Sequence, residues 1–128
     1  MQYAFLIYTE LSLHASMTPE DAAAAINRNW NIIDEATARG VFRGVMRLES
    51  TTQSVTARRR EGDASFTDGP FAETKEILGG FYLIDCKDDE EARYWAGRLT
   101  GTGCSTAVEF RPVAVVPERV PEAALASS

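Results

Sequence analysis

The sequence predicts an α+β fold in which two helices cover one face of a four-stranded sheet, and three observations lead to this prediction. Two short segments, YAFLIY at 3–8 and FYLID at 81–85, are apolar at both odd and even positions, which is typical of strands at the centre of a sheet. Two longer segments, 18–40 and 88–101, repeat apolar residues at helical spacing. The 128 residues are enough for one domain with its own hydrophobic core.

The first helix is predicted to begin after Thr18, which offers a capping hydroxyl ahead of Pro19 at the first helical position. Gly40 stands where a helix ends. The stripe expected to pack on the sheet is Ile26, Trp30, Ile33 and Thr37, with Ala22 and Ala36 filling in. The residues expected to face solvent are Asn27, Asn31, Asp34 and Glu35.

The second helix repeats these features, since Asp88 or Asp89 can cap it and Gly101 ends it. Its expected buried stripe is Ala92, Trp95, Ala96 and Leu99. A strand is predicted at 41–49, and a hairpin of strands 54–60 and 63–67 turns at Glu61-Gly62. The last strand, 107–116, contains Pro112 and is therefore expected at an edge or a bulge.

This order of elements predicts a ferredoxin-like βαββαβ fold with an inserted β-hairpin. Two helices cover only one face of such a sheet, whereas the central strands are apolar on both faces. A second copy of the chain is the simplest cover, so the sequence predicts a homodimer with an apolar interface. The domain is expected to span residues 1–116, followed by a loose tail at 117–128.

The composition excludes several classes of function. The net charge of −6 and the pI of about 4.8 give no general attraction to nucleic acid or to anionic membranes. The apolar start, MQYAFLIYTE, is too short for a signal peptide or a membrane span. The chain lacks the spacing of a phosphate-binding glycine loop or of a metal site, so no cofactor and no metal are expected. A cytoplasmic location with reduced thiols follows.

The segment TDGPFAETKE at 67–76 is the candidate functional site. Asp68 is expected to hold an Asx turn with Gly69 and Pro70, and the turn directs Phe71 into an apolar gap. A turn does not require the carboxylates or the lysine of this segment. Either they are structural, or Asp68 and Glu73 face a pocket at the edge of the sheet with Lys75 tuning their pKa. Burial of Asp68 beside Phe71 and Phe81 is then expected to raise the pKa of its carboxyl group.

The longer run TDGPFAETKEILGGFYLIDC closely resembles the signature of the DGPF-domain branch of the YCII-related family. The opening YAFLIY and the later VEFRPV resemble the first and last strands of that family. The resemblance implies a bacterial protein whose ferredoxin-like fold pairs into a dimeric α/β barrel. Related barrels include isomerases, monooxygenases and dehalogenating enzymes of small molecules. DGPF proteins are also often encoded beside sigma factors, which implies a sigma-factor-related protein partner as an alternative.

Four further residues are candidates with open alternatives. The wider family suggests a catalytic histidine, and His14, the single histidine, lies in a loop from which it either reaches the pocket or is simply exposed. Tyr8 and Tyr82 are either substrate-binding walls or core residues, and Arg47 either clamps an anionic substrate or is exposed. The chain is thus interpreted as a cofactor-independent enzyme or binding protein for a small organic molecule, with a non-catalytic regulatory module as the alternative.

Overall fold

A computed structural model describes residues 1–126 of the chain. Six strands, β1 to β6, span Gln2–Glu10, Phe42–Arg47, Val55–Arg60, Asp63–Asp68, Glu76–Asp85 and Ser105–Pro112. Four helices, α1 to α4, span Leu11–Ala15, Pro19–Ala38, Asp89–Leu99 and Glu122–Ala126, and a 3₁₀ turn spans Thr51–Gln53. No helix in this part of the chain is long and apolar enough to cross a bilayer.

Four strands form one antiparallel sheet in the order β2-β5-β1-β6. The two segments predicted to be central, β1 and β5, do lie at its centre, and β6 with Pro112 lies at an edge. The order is compatible with a ferredoxin-like fold. The predicted hairpin is also confirmed, because β3 and β4 pair only with each other around a two-residue turn in which Glu61 and Gly62 both have positive φ. We call Val55–Asp68 the hairpin arm.

The hydrophobic core lies between one face of the sheet and the helices α2 and α3. The sheet contributes alternate residues of its central strands, among them Phe5 and Ile84, and both are fully buried. The core residues from the helices are Ile32, Ala36, Ala92, Trp95 and Leu99. The predicted stripe of α3 is therefore confirmed, and Asp88 caps this helix by accepting a hydrogen bond from the Glu91 amide at 2.9 Å.

The predicted stripe of α2 is confirmed in part and is displaced by one residue elsewhere. Ala36 is buried and Ile33 packs against the core as predicted, but Ile26 and Trp30 are 53% and 58% exposed. Ile32, which was not part of the predicted stripe, is buried instead. One residue corresponds to about 100° of rotation about the helix axis. The rotation brings Asn29 towards the sheet, where its carboxamide oxygen accepts a hydrogen bond from the Tyr82 hydroxyl at 2.8 Å. Since a buried phenol needs a partner, this polar pair fixes a rotation that apolar spacing alone does not predict.

Glu35 was also predicted to face solvent, but it bridges α2 and α3. It accepts two hydrogen bonds from Arg98, at 2.9 and 3.1 Å, and one from the Tyr94 hydroxyl. Arg39 lies 3.0 Å from the other carboxylate oxygen. The Tyr94 hydrogen bond and then the arginines lower the pKa of the Glu35 carboxyl group.

Three boundaries differ from the predictions. The loop that contains His14 is the short helix α1, and β6 ends at Pro112 instead of residue 116. The expected loose tail carries α4 at Glu122–Ala126, while residues 127–128 of that prediction lie outside the described residues. The Val113 amide still donates to the Gln2 carbonyl at 2.8 Å, and β6 ends there because its partner β1 begins at Gln2.

Neither long helix, α2 or α3, packs on the second face of the sheet in the described part of the chain. Leu6 and Tyr8 alternate along β1 with the buried Tyr3 and Phe5, and Phe81 and Leu83 alternate along β5 with the buried Tyr82 and Ile84. The neighbouring strand β2 adds Met46, which is 60% exposed. We call this apolar surface the open face.

Candidate functional site

The predicted residues Tyr8 and Lys75 meet at one end of the open face. There the end of β1 runs beside the start of β5, with Tyr8 opposite Leu78 and Glu10 opposite Glu76. The register shifts by one residue after Ile7, so that Gly79 is an extra residue in β5. Without this bulge, Tyr8 and Glu10 would pair with different residues of β5.

An ion pair closes this end of the sheet. The Lys75 ammonium lies 3.1 Å from Oε1 of Glu10, and the Ser12 hydroxyl donates a hydrogen bond to the same oxygen at 3.0 Å. The Glu10 side chain is only 18% exposed, whereas that of Lys75 is 81% exposed. The hydrogen bond from Lys75, followed by the one from Ser12, lowers the pKa of the Glu10 carboxyl group. Glu10 is therefore an ionised carboxylate at neutral pH, and its partner is accessible to a ligand.

These residues line an open depression of about 500 Å³, which we call the Tyr8 depression. Its lining residues are Tyr8, Glu10, Thr74, Lys75 and Glu76. The Tyr8 hydroxyl lies 3.5 Å from a carboxylate oxygen of Glu109 on β6. One cation, a phenol and two carboxylates thus surround a space suited to a small polar molecule. The set can bind an anionic group through Lys75 and exchange a proton through a carboxylate.

Asp68 lies elsewhere, at the end of β4 in the hairpin arm. It is exposed, and its side chain makes no hydrogen bond within residues 1–126. The predicted Asx turn is therefore wrong. The Thr56 hydroxyl instead donates to the Gly69 carbonyl at 2.8 Å, and the Gly69 amide donates to the Ser54 carbonyl at 2.8 Å. The burial that was expected to raise the pKa of Asp68 is also absent at this position.

Phe71 does not enter an apolar gap, because it is 73% exposed. The Arg58 guanidinium lies 4.8 Å above its ring and donates a hydrogen bond to its carbonyl at 3.3 Å. Glu73 is exposed and has no partner among the described residues. Within TDGPFAETKE, only the last three residues, Thr74 to Glu76, therefore line the Tyr8 depression.

The remaining candidates do not join the Tyr8 depression. Tyr82 is buried on the face that the helices cover, and burial raises the pKa of its phenol. Arg47 is exposed at the end of β2, without an ion-pair partner in the described chain. His14 lies on α1, where its Nδ1 is 3.8 Å from Sγ of Cys104.

Sequence reasoning missed Glu10, although the signal was present. Strand alternation puts Tyr8 and Glu10 on the same face of β1, and both are polar at the end of an otherwise apolar strand. In the sequence alone, Glu10 marks only the point where the apolar first segment ends. Its pairing with Lys75 joins residues 65 positions apart, which no local spacing predicts.

Neither cysteine is a resting nucleophile. Burial raises the pKa of the Cys86 thiol to about 11, and burial also raises the pKa of the Cys104 thiol. Both are therefore protonated at neutral pH, whereas a nucleophilic cysteine needs a thiolate. Within residues 1–126, no three histidine, cysteine, aspartate or glutamate side chains converge.

Comparison with known proteins adds two similarities. A family model described as the YCII-related domain matches residues 1–113. An uncharacterised protein of Rhizobium meliloti strain 1021 is 37% identical over 116 residues, which cover 90% of this chain and 94% of the relative. The family match includes Tyr8, Glu10 and Lys75.

Proposed function

Since this chain belongs to the YCII-related domain family, we propose that it binds a small organic acid or carbonyl compound in the Tyr8 depression, without a cofactor, in the cytoplasm. The run TDGPFAETKE supports assignment to the DGPF branch of that family. The observation that carries the proposal is the ion pair of Glu10 and Lys75 beside the Tyr8 hydroxyl.

The accessibility of Lys75 suggests how a ligand would use this ion pair. An anionic group of the ligand would take over the Lys75 ammonium, which is largely exposed, and would leave Glu10 without its main hydrogen-bond donor. The pKa of Glu10 would then rise towards its ordinary value, which makes the carboxylate a better base. Ligand binding and activation of Glu10 would thus be one event.

The matching chemistry is proton abstraction next to a carbonyl group. The C–H bond breaks, the proton passes to a Glu10 oxygen, and the electron pair moves into the carbonyl to give an enolate. The Tyr8 phenol and the Lys75 ammonium are the groups that can stabilise this oxyanion. Return of the proton to another carbon gives an isomerisation that needs no other reactant.

A homodimer is part of the proposal, because the Tyr8 depression lies on the open face of the sheet. Leu6, Phe81, Leu83 and Met46 give this face an apolar centre that a second copy would cover. Burial of apolar surface is the main favourable term in such an association. Two open faces packed together would form an α/β barrel and would enclose the depression on the side that now meets solvent.

The test is thermal denaturation of the native protein with carboxylates, lactones and phenols as ligands. A ligand at about 100 times its dissociation constant should add about 2.7 kcal/mol to the free energy of unfolding, a rise of several degrees. We expect Lys75→Gln to remove this rise for anionic ligands, and Glu10→Gln to retain binding while it abolishes any turnover of the same compound.

Two matched variants decide between the two groups of residues. Asp68→Asn and Glu73→Gln change exposed carboxylates that lie outside the Tyr8 depression. If these two variants remove the ligand-induced rise in melting temperature and Lys75→Gln does not, the ligand binds at the hairpin arm and the loop that follows it. If no compound stabilises the native protein, the small-molecule proposal is wrong.

The hairpin arm supports the second candidate function, a regulatory module that binds a sigma-factor-related protein. Its strands pair only with each other, and Val55 and Phe66 are exposed on it. Such apolar side chains on a projecting element are typical of a protein contact. A pull-down that depends on Phe66, combined with no ligand-induced stabilisation, would favour this alternative.

A further inference from the structure

An imidazole and a thioether lie on either side of α1's end, and both approach the thiol of Cys104. The thiol of Cys104 lies 3.3 Å from the thioether sulfur of Met17 and 3.8 Å from Nδ1 of His14. Cys104 is 8% exposed, Met17 is half-buried and His14 is exposed at the surface. We call these three residues the soft-donor cluster. The soft-donor cluster lies outside the Tyr8 depression. The second depression, which adjoins the cluster, has no lining residue in common with the Tyr8 depression.

The backbone, and not only the side chains, holds the cluster together. The Met17 amide donates to the His14 carbonyl at 3.3 Å, so the last turn of α1 places both residues on one side. The Glu10 amide donates to the Cys104 carbonyl at 3.4 Å, which ties the loop before β6 to the start of α1. Gly103 has a φ of +63°, and a side chain there would come within 3.1 Å of Ala25, so this loop lies close against α2.

A path from solvent leads to the sulfur atoms. Cys104 and Met17 line an open depression of about 350 Å³ together with Leu13, Ala25 and Arg28. The Arg28 guanidinium is directed to the Gly101 carbonyl, at 3.4 Å, and Asp21 at the same rim carries the opposite charge. A small cation can therefore reach the donors without crossing a region of unbalanced positive charge.

We propose that His14 Nδ1, Met17 Sδ and Cys104 Sγ form a binding site for Cu(I). Thiolate and thioether ligands select Cu(I), and imidazole suits copper as well. Metal–sulfur bonds of about 2.3 Å and metal–nitrogen bonds of about 2.0 Å hold neighbouring ligand atoms roughly 3.5–4 Å apart. The distance of 3.8 Å from Cys104 Sγ to His14 Nδ1 lies in this range, and the distance of 3.3 Å from Cys104 Sγ to Met17 Sδ is slightly shorter. Zinc is less suited, because its protein ligands are thiolates, imidazoles and carboxylates and not thioethers.

Cu(I) can bind to these three residues without a change in its oxidation state. A bond forms between Cu(I) and the Cys104 sulfur, the S–H bond breaks, and the proton passes to water. The thioether and the imidazole each donate a lone pair, so copper keeps its oxidation state. The contact between the Cys104 thiol and the Met17 sulfur gives way to two bonds to the same ion.

The test is an anaerobic titration in which the protein competes with the chromophoric chelator bicinchoninate for Cu(I). We expect the native protein to remove one equivalent of Cu(I) from the chelator. Loss of a partner of a metal ligand typically costs 10–100-fold in affinity, and loss of a ligand should cost at least as much. Cys104→Ser, His14→Gln and Met17→Leu should therefore each weaken Cu(I) binding by about tenfold or more.

Two variants serve as matched controls. Met46→Leu changes a methionine on the open face, and Cys86→Ala changes the other buried thiol, so both should bind Cu(I) like the native protein. Melting curves of all variants identify any that do not fold, and Met17→Leu, a swap of similar volume, keeps the test valid if Cys104→Ser fails. The proposal is overturned if the native protein removes no copper, if Met17→Leu binds as tightly as native, or if Zn(II) displaces Cu(I) from the site.

Discussion

The single carboxylate of Glu35 connects two helices. It joins α2 to α3 through Tyr94 and Arg98, and its side chain is only 23% exposed. Hydrogen bonds to a charged group of this kind contribute about 1.5–3 kcal/mol each before the cost of desolvation, so the network is worth more than a surface ion pair. The prediction that Glu35 faces solvent failed because its two partners on α3, Tyr94 and Arg98, lie 59 and 63 residues further along the chain.

The first prediction concerns the pH dependence of this network. Because the pKa of Glu35 is lower in the folded protein than its ordinary value of 4.5, its contribution to stability is present above that value and is lost as the pH falls below it. Glu35→Gln should therefore reduce the free energy of unfolding at pH 7 by about 1–2 kcal/mol. The difference between the two proteins should shrink from about pH 4.5 downwards. Urea denaturation at pH 7, 5, 4 and 3 measures it.

Asp34→Asn is the control for that prediction. Asp34 is the exposed neighbour of Glu35 and forms no ion pair within residues 1–126, so this variant should follow the native protein at every pH. A constant difference between Glu35→Gln and the native protein across the pH range would show that the carboxylate charge is not what stabilises the contact between α2 and α3.

At the scale of the element, β5 depends on a close approach between two backbones. A Cβ atom at Gly80 would lie 2.4 Å from the Met46 carbonyl oxygen on β2. Backbone atoms cannot move aside as a flexible side chain can, so Gly80→Ala should force β2 and β5 apart. We expect a loss of about 1–3 kcal/mol in the free energy of unfolding, measured by urea denaturation.

Gly97 provides the opposite case. It lies within α3, where a Cβ atom would meet nothing within 4 Å. Gly97→Ala should therefore raise the free energy of unfolding by about 0.5–1 kcal/mol, since alanine loses less backbone freedom in a helix. Equal effects of the two substitutions would mean that close packing between β2 and β5 does not restrict Gly80.

The elements themselves were largely predictable from local patterns. Thr18, Pro19 and Gly40 fix the two ends of α2, and the capping box of Thr18 and Asp21 is formed as such residues predict. The rotation of α2 was not predictable, since the Asn29–Tyr82 hydrogen bond joins residues 53 positions apart. Two residues of the Tyr8 depression, Tyr8 and Lys75, were candidates from the sequence. The bulge at Gly79 aligns Glu10 with them, and the sequence indicates this bulge only through the glycine pair Gly79-Gly80.

At the scale of the whole molecule, the open face predicts association. The protein at micromolar concentration should sediment with twice the mass of one 14.1 kDa chain. Leu83→Arg places a charge at the centre of the open face, where burial without a partner is costly, and should shift the mass to that of one chain. Sedimentation equilibrium or light scattering measures both.

Trp30→Arg is the matched control, because Trp30 is a larger and well-exposed apolar residue on the outer side of α2. It should leave the mass unchanged. If Trp30→Arg separates the chains while Leu83→Arg does not, the interface lies on the outer side of the helix and the open face stays exposed. If the native protein has the mass of one chain, the dimeric barrel is not part of its function.

The order of strands in the sheet also dictates an order of events during synthesis. Of the four strands of this sheet, β1 and β2 are synthesised before the other two, and they are not neighbours because β5 lies between them. Until residues 76–85 have been made, neither strand has a partner in the sheet, and only helices and the hairpin arm can form by local contacts. A nascent chain that stops before Glu76 therefore holds two unpaired apolar strands, which is the condition in which chaperones bind. The arrival of β5 ends that interval by pairing with both at once.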